Sequence, residues 1–177
     1  MVSLFFVLFA TLSAFAGGGN FDHSHSELGV FYGQSVSNQG VDYAQLATRR
    51  SHLDSYLKEI ANAPISEFNK EQRLAFWINA YNAFTLKLIL DEKQPKSIMD
   101  LDGGKVWDTR KYMVAGQQLT LNEMEHKKAR PLTDGRVHAA LNCASKGCPP
   151  LGSKPIRGHG LDAQLDEAAR RWVRTNA

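Results

Sequence analysis

Only two cysteines occur in the 177 residues, Cys143 and Cys148, and no charged side chain precedes Asp22. With no second cysteine pair, and C-x4-C in place of a strong zinc spacing, a zinc module has little to build on. The net charge of +3 and a pI near 8.9 are mildly basic. The clustered Lys/Arg stripe of a nucleic-acid binder is missing, however. The pairs Arg49-Arg50, Lys127-Lys128 and Arg170-Arg171 are scattered and read as solvated helix faces. Internal repeats are absent too, so no nucleic-acid partner and no solenoid is expected.

What is present begins with an apolar run, Val2, Leu4, Phe5, Phe6, Val7, Leu8 and Phe9, followed by Ala14-Phe15-Ala16 and three glycines. This is the pattern of a signal-peptide apolar region with a small-x-small cleavage site, too short to span a bilayer. No Lys or Arg stands ahead of the run, and no Cys follows it to carry a lipid anchor. The expectation is a signal peptide over residues 1–16 and a secreted or periplasmic domain over 17–177. Membrane contact is expected only through the first segment, if it is left uncleaved. A single domain of that length can bury a real core.

Along the domain, Leu46, Leu53, Tyr56, Leu57 and Ile60 recur at helical spacing, and Pro64 ends that helix. Asn69 with Gln72 forms a capping box opening a helix over about 70–93, which is apolar on nearly every side and belongs at the centre of the core. Asn79 and Asn82 sit within it at i,i+3. Buried amides need partners, so they either tie the helix to a neighbouring loop or face a site. A loop from Pro95 reaches Trp107. Tyr112-Met113-Val114, Gly116 and Leu119 read as a hairpin turning at Ala115 to Gln117. Thr120 and Glu123 form a second capping box, launching a helix to about Arg130 that Pro131 ends. Val137 to Leu141 reads as a buried strand delivering the chain into the cysteine loop. Leu161, Leu165, Ala168 and Trp172 mark a last amphipathic helix. The fold expected is α+β: helix-rich, one domain, a buried central helix, and a small antiparallel sheet made of the hairpin and the 137–141 strand.

Several stretches together resemble one family. Phe21-Asp22-His23-Ser24, Val41-Asp42-Tyr43, Ala75 to Ala83, Leu121 to His126, and His138 to Leu151 are similar to the successive motifs of the domain of unknown function 547 family. The blocks at 76–83 and 142–150 are the specific ones. His25 and Asp102-Gly103-Gly104 lie outside the pattern. Similar proteins continue past the final helix into an aromatic, acidic segment, so the resemblance implies a chain truncated at its C-terminus. It also implies an overall likeness to papain-like or transglutaminase-like folds. Some similar proteins are fused to glutaredoxin-like domains, which hints at thiol chemistry.

Three constellations offer chemistry. Cys143 follows the 137–141 segment, and Lys146 beside it would favour a thiolate. Three readings fit the cysteines: a structural disulfide, a nucleophilic thiol with His126 or His138 as base, or a metal site shared with histidines. Closing so short a loop would stabilise the fold by roughly 2 kcal/mol. The second constellation is Glu125, His126 and Arg130. On a helix, His126 and Arg130 share a face and Glu125 does not, which gives either a base with an anion clamp or a buried Glu satisfied by backbone or Arg. The third is Asp22-His23-Ser24-His25, where an extended H-x-H would put both imidazoles on one face for a metal, and a mobile stretch would bind nothing. The leading expectation is a cysteine-dependent hydrolase or acyl transferase acting on a peptide, amide or thiol-containing small-molecule substrate. It uses Cys143, His126 or His138, Glu125, and Asn79 or Asn82 as an orienting or oxyanion-stabilising amide, and calls for no cofactor and no metal. The competing expectation is a non-enzymatic binding domain with a Cys143–Cys148 disulfide.

Overall fold

The structure, a computed structural model, describes residues 21–37, 40–145 and 147–176. The expected signal segment, its glycine linker and Lys146 lie outside the described residues. The elements run α1 (Ser26–Tyr32), β1 (Val36–Ser37), β2 (Gly40–Val41), α2 (Tyr43–Ala47), α3 (Arg50–Ala61), α4 (Lys70–Asp91), α5 (Val106–Thr109), β3 (Lys111–Val114), β4 (Gln117–Thr120), α6 (Leu121–Glu123), α7 (Val137–Ala140) and α8 (Leu161–Asn176). The described residues form a helix-rich α+β domain with two separate two-stranded antiparallel sheets. None of the described helices is long and apolar enough to cross a membrane.

α4 is the centre. Asn69 Oδ1 accepts from the Gln72 amide at 2.8 Å, and the Gln72 side chain accepts from the Asn69 amide at 2.9 Å, so the capping box closes as the sequence requires. No Pro or Gly interrupts the 22 residues that follow, and every residue from Leu74 to Leu86 is buried. Each large apolar side chain taken fully from water contributes about 1.5–3 kcal/mol, which is why this helix can tolerate the two amides it buries. Lys93 and Gln94 take left-handed backbone angles, and the Gln94 N–H returns to the Ile89 carbonyl, so the helix stops before Pro95.

The hairpin pairs Lys111 with Thr120 and Val114 with Gln117. Its turn residues, Ala115 and Gly116, both have positive φ, as a two-residue hairpin turn with matching twist demands. Their N–H groups donate to the carbonyls of Ile60 and Ala61, tying the turn to the end of α3. Tyr112 stacks on Phe84 of α4 with ring centroids 4.6 Å apart.

Three expectations are corrected. Residues 137–141 are not a strand: Val137–Ala140 is the short helix α7, packed on α8. Asp134 starts it by accepting from the Arg136 amide at 2.9 Å, and two alanines favour the helical turn, so among the described residues the hairpin has no third strand. The helix expected over Leu46 to Ile60 is two helices, broken at Thr48 and Arg49. The segment from Phe21 is a packed turn, not an extended H-x-H. His25 caps α1 in a left-handed conformation, is buried, and bonds Tyr56 Oη through Nδ1 at 2.8 Å. His23 instead packs edge-on against Phe68, 4.5 Å between centroids. Asp22 holds the turn by accepting from the amides and hydroxyls of Ser24 and Ser26. Burial pushes its carboxyl up, but those four bonds prevail and keep it well below the ordinary carboxylate range.

Candidate functional site

The two amides of α4 fix the surroundings of the cysteine loop. Asn82 donates to the Ala140 carbonyl at 2.9 Å and accepts from the Asn142 amide at 2.9 Å. Asn79, one turn earlier, does the same with a single residue: it donates to the Ile156 carbonyl at 2.6 Å and accepts from its amide at 2.9 Å. Each side chain thus satisfies one backbone donor and one acceptor of an irregular segment, the need that buried loops otherwise leave unmet.

The loop after α7 is braced from several sides. Cys143 and Cys148 are joined in a disulfide, their Cα atoms 6.1 Å apart. Asn142 spans the loop, donating to the Pro149 carbonyl at 2.9 Å and accepting from the Ala144 amide at 3.2 Å. From α8, Trp172 Nε1 donates to the Gly147 carbonyl at 3.3 Å and Arg171 Nε to the Pro150 carbonyl at 3.4 Å. Both cysteines are half-buried.

Beside the loop lies an ionic cluster made by an irregular helix. The chain leaves α6 into a π-helix over Met124–Ala129, then a 3-10 turn over Arg130–Leu132. Pro131 has no N–H to continue an α-helix, and its ring would clash with the Lys127 carbonyl, so wider turns precede it. The Arg130 amide bonds the Glu125 carbonyl, five residues back. This widening overturns the expected pairing. Glu125, not His126, shares a face with Arg130, and its Oε1 accepts from Arg130 Nη2 at 2.7 Å and Nε at 3.1 Å. His138 Nδ1 lies 3.5 Å from the same oxygen and 3.4 Å from Arg130 Nη2. Glu125 is 11 % exposed at its side chain, whereas Arg130 and His138 are about 40 % exposed (39 % and 41 %). A carboxylate this deep is tolerable only with such partners. The His138 ring in turn meets Trp172 edge-on, 5.2 Å between centroids.

Of the residues singled out from sequence, Glu125 and His138 come together, and Asn82 anchors the start of the loop that carries Cys143. Asn79 serves the 156 segment instead. His126 is exposed in a shallow surface depression with Asp108, Lys111 and Asn122. Among the described residues no hydrogen bond or ion pair joins it to Glu125, Arg130 or the cysteine loop. His25 and His23 belong to the N-terminal packing. No group of three or more His, Cys, Asp or Glu that could hold a metal occurs among the described residues. Sequence reasoning missed Trp172, Arg171 and Asn142. Trp172 carried one signal: a tryptophan on a helix face needs a partner for its indole N–H as well as for its rings.

No curated protein and no solved structure matches the chain. Residues 65–173 match the family model described as "Protein of unknown function, DUF547". That span contains α4, the π-helix, α7, the cysteine loop and all but the end of α8. The chain belongs to the DUF547 family.

Proposed function

We propose that this is an exported cysteine-dependent hydrolase or acyl transferase acting on a peptide, amide or thiol-containing substrate. In it, Cys143 is the nucleophile, His138 the base and Glu125 the group that orients the base. The observation that carries the reading is the position of His138. Its Nδ1 lies 3.5 Å from Glu125, and its ring contacts Trp172, which holds Gly147 of the cysteine loop. The proposal requires the tautomer with its proton on Nδ1, turned towards Glu125 in place of accepting from Arg130 Nη2 at 3.4 Å, which would leave Nε2 to act as base. His126, exposed and among the described residues not bonded to the loop, is not part of the proposal.

The enzyme would be latent while the Cys143–Cys148 bond is closed. A thiol or dithiol reductant must first supply two electrons and two protons, giving two thiols. Cys143 then passes its proton to His138 Nε2 and attacks the carbonyl carbon. The carbon–leaving-group bond breaks, and His138 returns the proton to the leaving group. Water, or an acceptor thiol or amine, attacks the thioester, gives its proton to His138, and the carbon–sulfur bond breaks to restore the thiol. Asn82, whose amide holds the backbone on both sides of Leu141, is a positioning residue. Export rests on the apolar run at 2–9 and on Ala14-Phe15-Ala16. Mass spectrometry of the extracellular or periplasmic product should find Gly17 at its N-terminus, and a full-length membrane-extracted product would refute export.

The alkylation rate of Cys143 across pH, in the reduced Cys148→Ser protein, tests the chemistry. The expected result is an inflection well below the value of about 8.5 for an ordinary thiol, moved upward by His138→Gln and untouched by His126→Gln. Alkylation like that of a free peptide thiol, insensitive to His138, would remove the chemical basis. One observation favours a second reading, a non-enzymatic binding domain with a structural disulfide. Side chains brace the carbonyls of Gly147, Pro149 and Pro150, as a purely architectural loop also needs. That reading expects the native protein to resist alkylation and to lose stability when reduced.

A further inference from the structure

An open groove of about 470 Å³ runs between residues 152–160 and α8, on the side of α8 that carries Arg171. Its walls are cationic. Lys154 and Arg157 contribute from the loop and Arg171 from the helix, against a single carboxylate among the lining residues, Glu167. Glu167 is already engaged, with Arg174 at 2.9 Å and Arg170 at 3.5 Å. Arg171 is different. It is half-buried, its Nε bonds the Pro150 carbonyl, and among the described residues no carboxylate stands within ion-pair distance of it; Glu167, one turn earlier, attracts it only through space. Its guanidinium lies close over Gly152, where a Cβ would stand 3.2 Å from Nη2. The groove is also held in shape. Gln164 on α8 accepts from the Arg157 amide at 3.0 Å and donates to the carbonyls of Arg157 and His159, while Asn79 pins Ile156 from the core.

A partly desolvated guanidinium with no carboxylate in direct contact is costly, and an anion entering the groove would offset that cost. The planar fork of arginine fits a carboxylate with two parallel hydrogen bonds, and cations at the rim draw such a ligand in. We propose that this groove binds the carboxylate of a peptide ligand, with Arg171 as the fork and Lys154 and Arg157 at the rim. The inference is independent of the thiol chemistry proposed above, because it is tested on the oxidised protein, in which both sulfurs are engaged.

The test is calorimetric titration of the full chain with acetyl-Ala-Ala-Glu bearing a free α-carboxylate, and with acetyl-Ala-Ala-Gln-amide as its uncharged counterpart. The charged peptide should bind at least about tenfold more tightly, and Arg171→Gln should remove about that factor. Arg171 also holds Pro150, so Lys154→Gln/Arg157→Gln provides a second arm on exposed side chains, expected to weaken binding severalfold and to lower its salt dependence. Equal binding of the two peptides, no binding at millimolar concentration, or full affinity in a folded Arg171→Gln or in the double variant would overturn the proposal. Inorganic phosphate binding more tightly than the peptide would likewise overturn the carboxylate assignment and make the groove a phosphate site.

Discussion

Asn82 Oδ1 accepts a hydrogen bond from the Asn142 amide at 2.9 Å across 60 residues of sequence, while its Nδ2 donates to Ala140 on the near side of Leu141. The bond fastens the central helix to the first residue of the cysteine loop. Three residues earlier, Asn79 fastens the same helix to Ile156 at the floor of the cationic groove. One face of α4 thus sets the relative position of the two segments on which both functional proposals depend. The other residues of that stretch are buried and apolar apart from Thr85, which bonds Tyr81 of its own helix.

Replacing either amide tests this. Asn82→Ala strands the Ala140 carbonyl and the Asn142 amide in a dry environment, at about 1–3 kcal/mol for each unmet group. The variant should lose roughly 2–4 kcal/mol in urea denaturation. Asn79→Ala should lose a similar amount, and it should also weaken peptide binding at the groove. A change below 1 kcal/mol for both, about the size of a surface substitution, would mean that water enters to replace the amides.

The disulfide should matter less to stability than these amides do. It closes a loop of only six residues, which constrains the unfolded chain by roughly 2 kcal/mol, and Asn142 and Trp172 hold the loop without it. Reduction should lower the denaturation midpoint modestly and leave one cooperative transition. Loss of cooperativity on reduction would make the bond a keystone of the fold and would count against a thiol that works when reduced.

Regular structure was legible where its signal is local. Both capping boxes, the central helix and the hairpin follow from side chains within a few positions of one another. The 137–141 segment was misread because a five-residue apolar run has no period long enough to separate strand from helix. The deciding contact, Asp134 to the Arg136 amide, lies just outside the run. The Glu125–Arg130 pair was hidden for another reason. Ordinary helical spacing matches His126 with Arg130, and only the wide turns ahead of Pro131 bring Glu125 round. His138, Trp172 and the cysteine loop meet across tens of residues, which no local pattern encodes.

The buried His25 makes stability depend on pH. Burial pulls its imidazole down to about 4, Asp22 nearby opposing this and His23 adding to it, from 6.5 in the unfolded chain. The folded state therefore binds its proton more weakly than the unfolded state. Its contribution is complete above the unfolded value and is lost as pH falls from about 6.5 towards about 4, up to roughly 3 kcal/mol across that window. His25→Asn keeps a residue that tolerates the left-handed backbone at this position and removes the titration. Urea midpoints measured from pH 7 to pH 4 should fall steeply for the native sequence and less steeply for the variant. Parallel slopes would show that the imidazole is solvated.

The cluster of Glu125, Arg130 and His138 admits a test that separates support from chemistry. Arg130→Met leaves Glu125 buried without its cation, which should cost roughly 2 kcal/mol, less than for a fully buried pair because Arg130 is itself 39 % exposed. Glu125→Leu alone removes the carboxylate and strands a half-exposed guanidinium, a smaller loss. The double variant should recover much of the stability, since a buried ion pair can be replaced by well-packed apolar groups with little net change. A double variant no better than the sum of the two single losses would mean that the pair is not coupled. The thiol should not recover with the fold. If Glu125 orients His138, the inflection in Cys143 alkylation stays raised in the stable double variant, because the acceptor for the His138 Nδ1 proton is gone. An inflection restored along with stability would instead show that Glu125 acts only by packing against Arg130, and His138 would then have no orienting partner in the proposed mechanism.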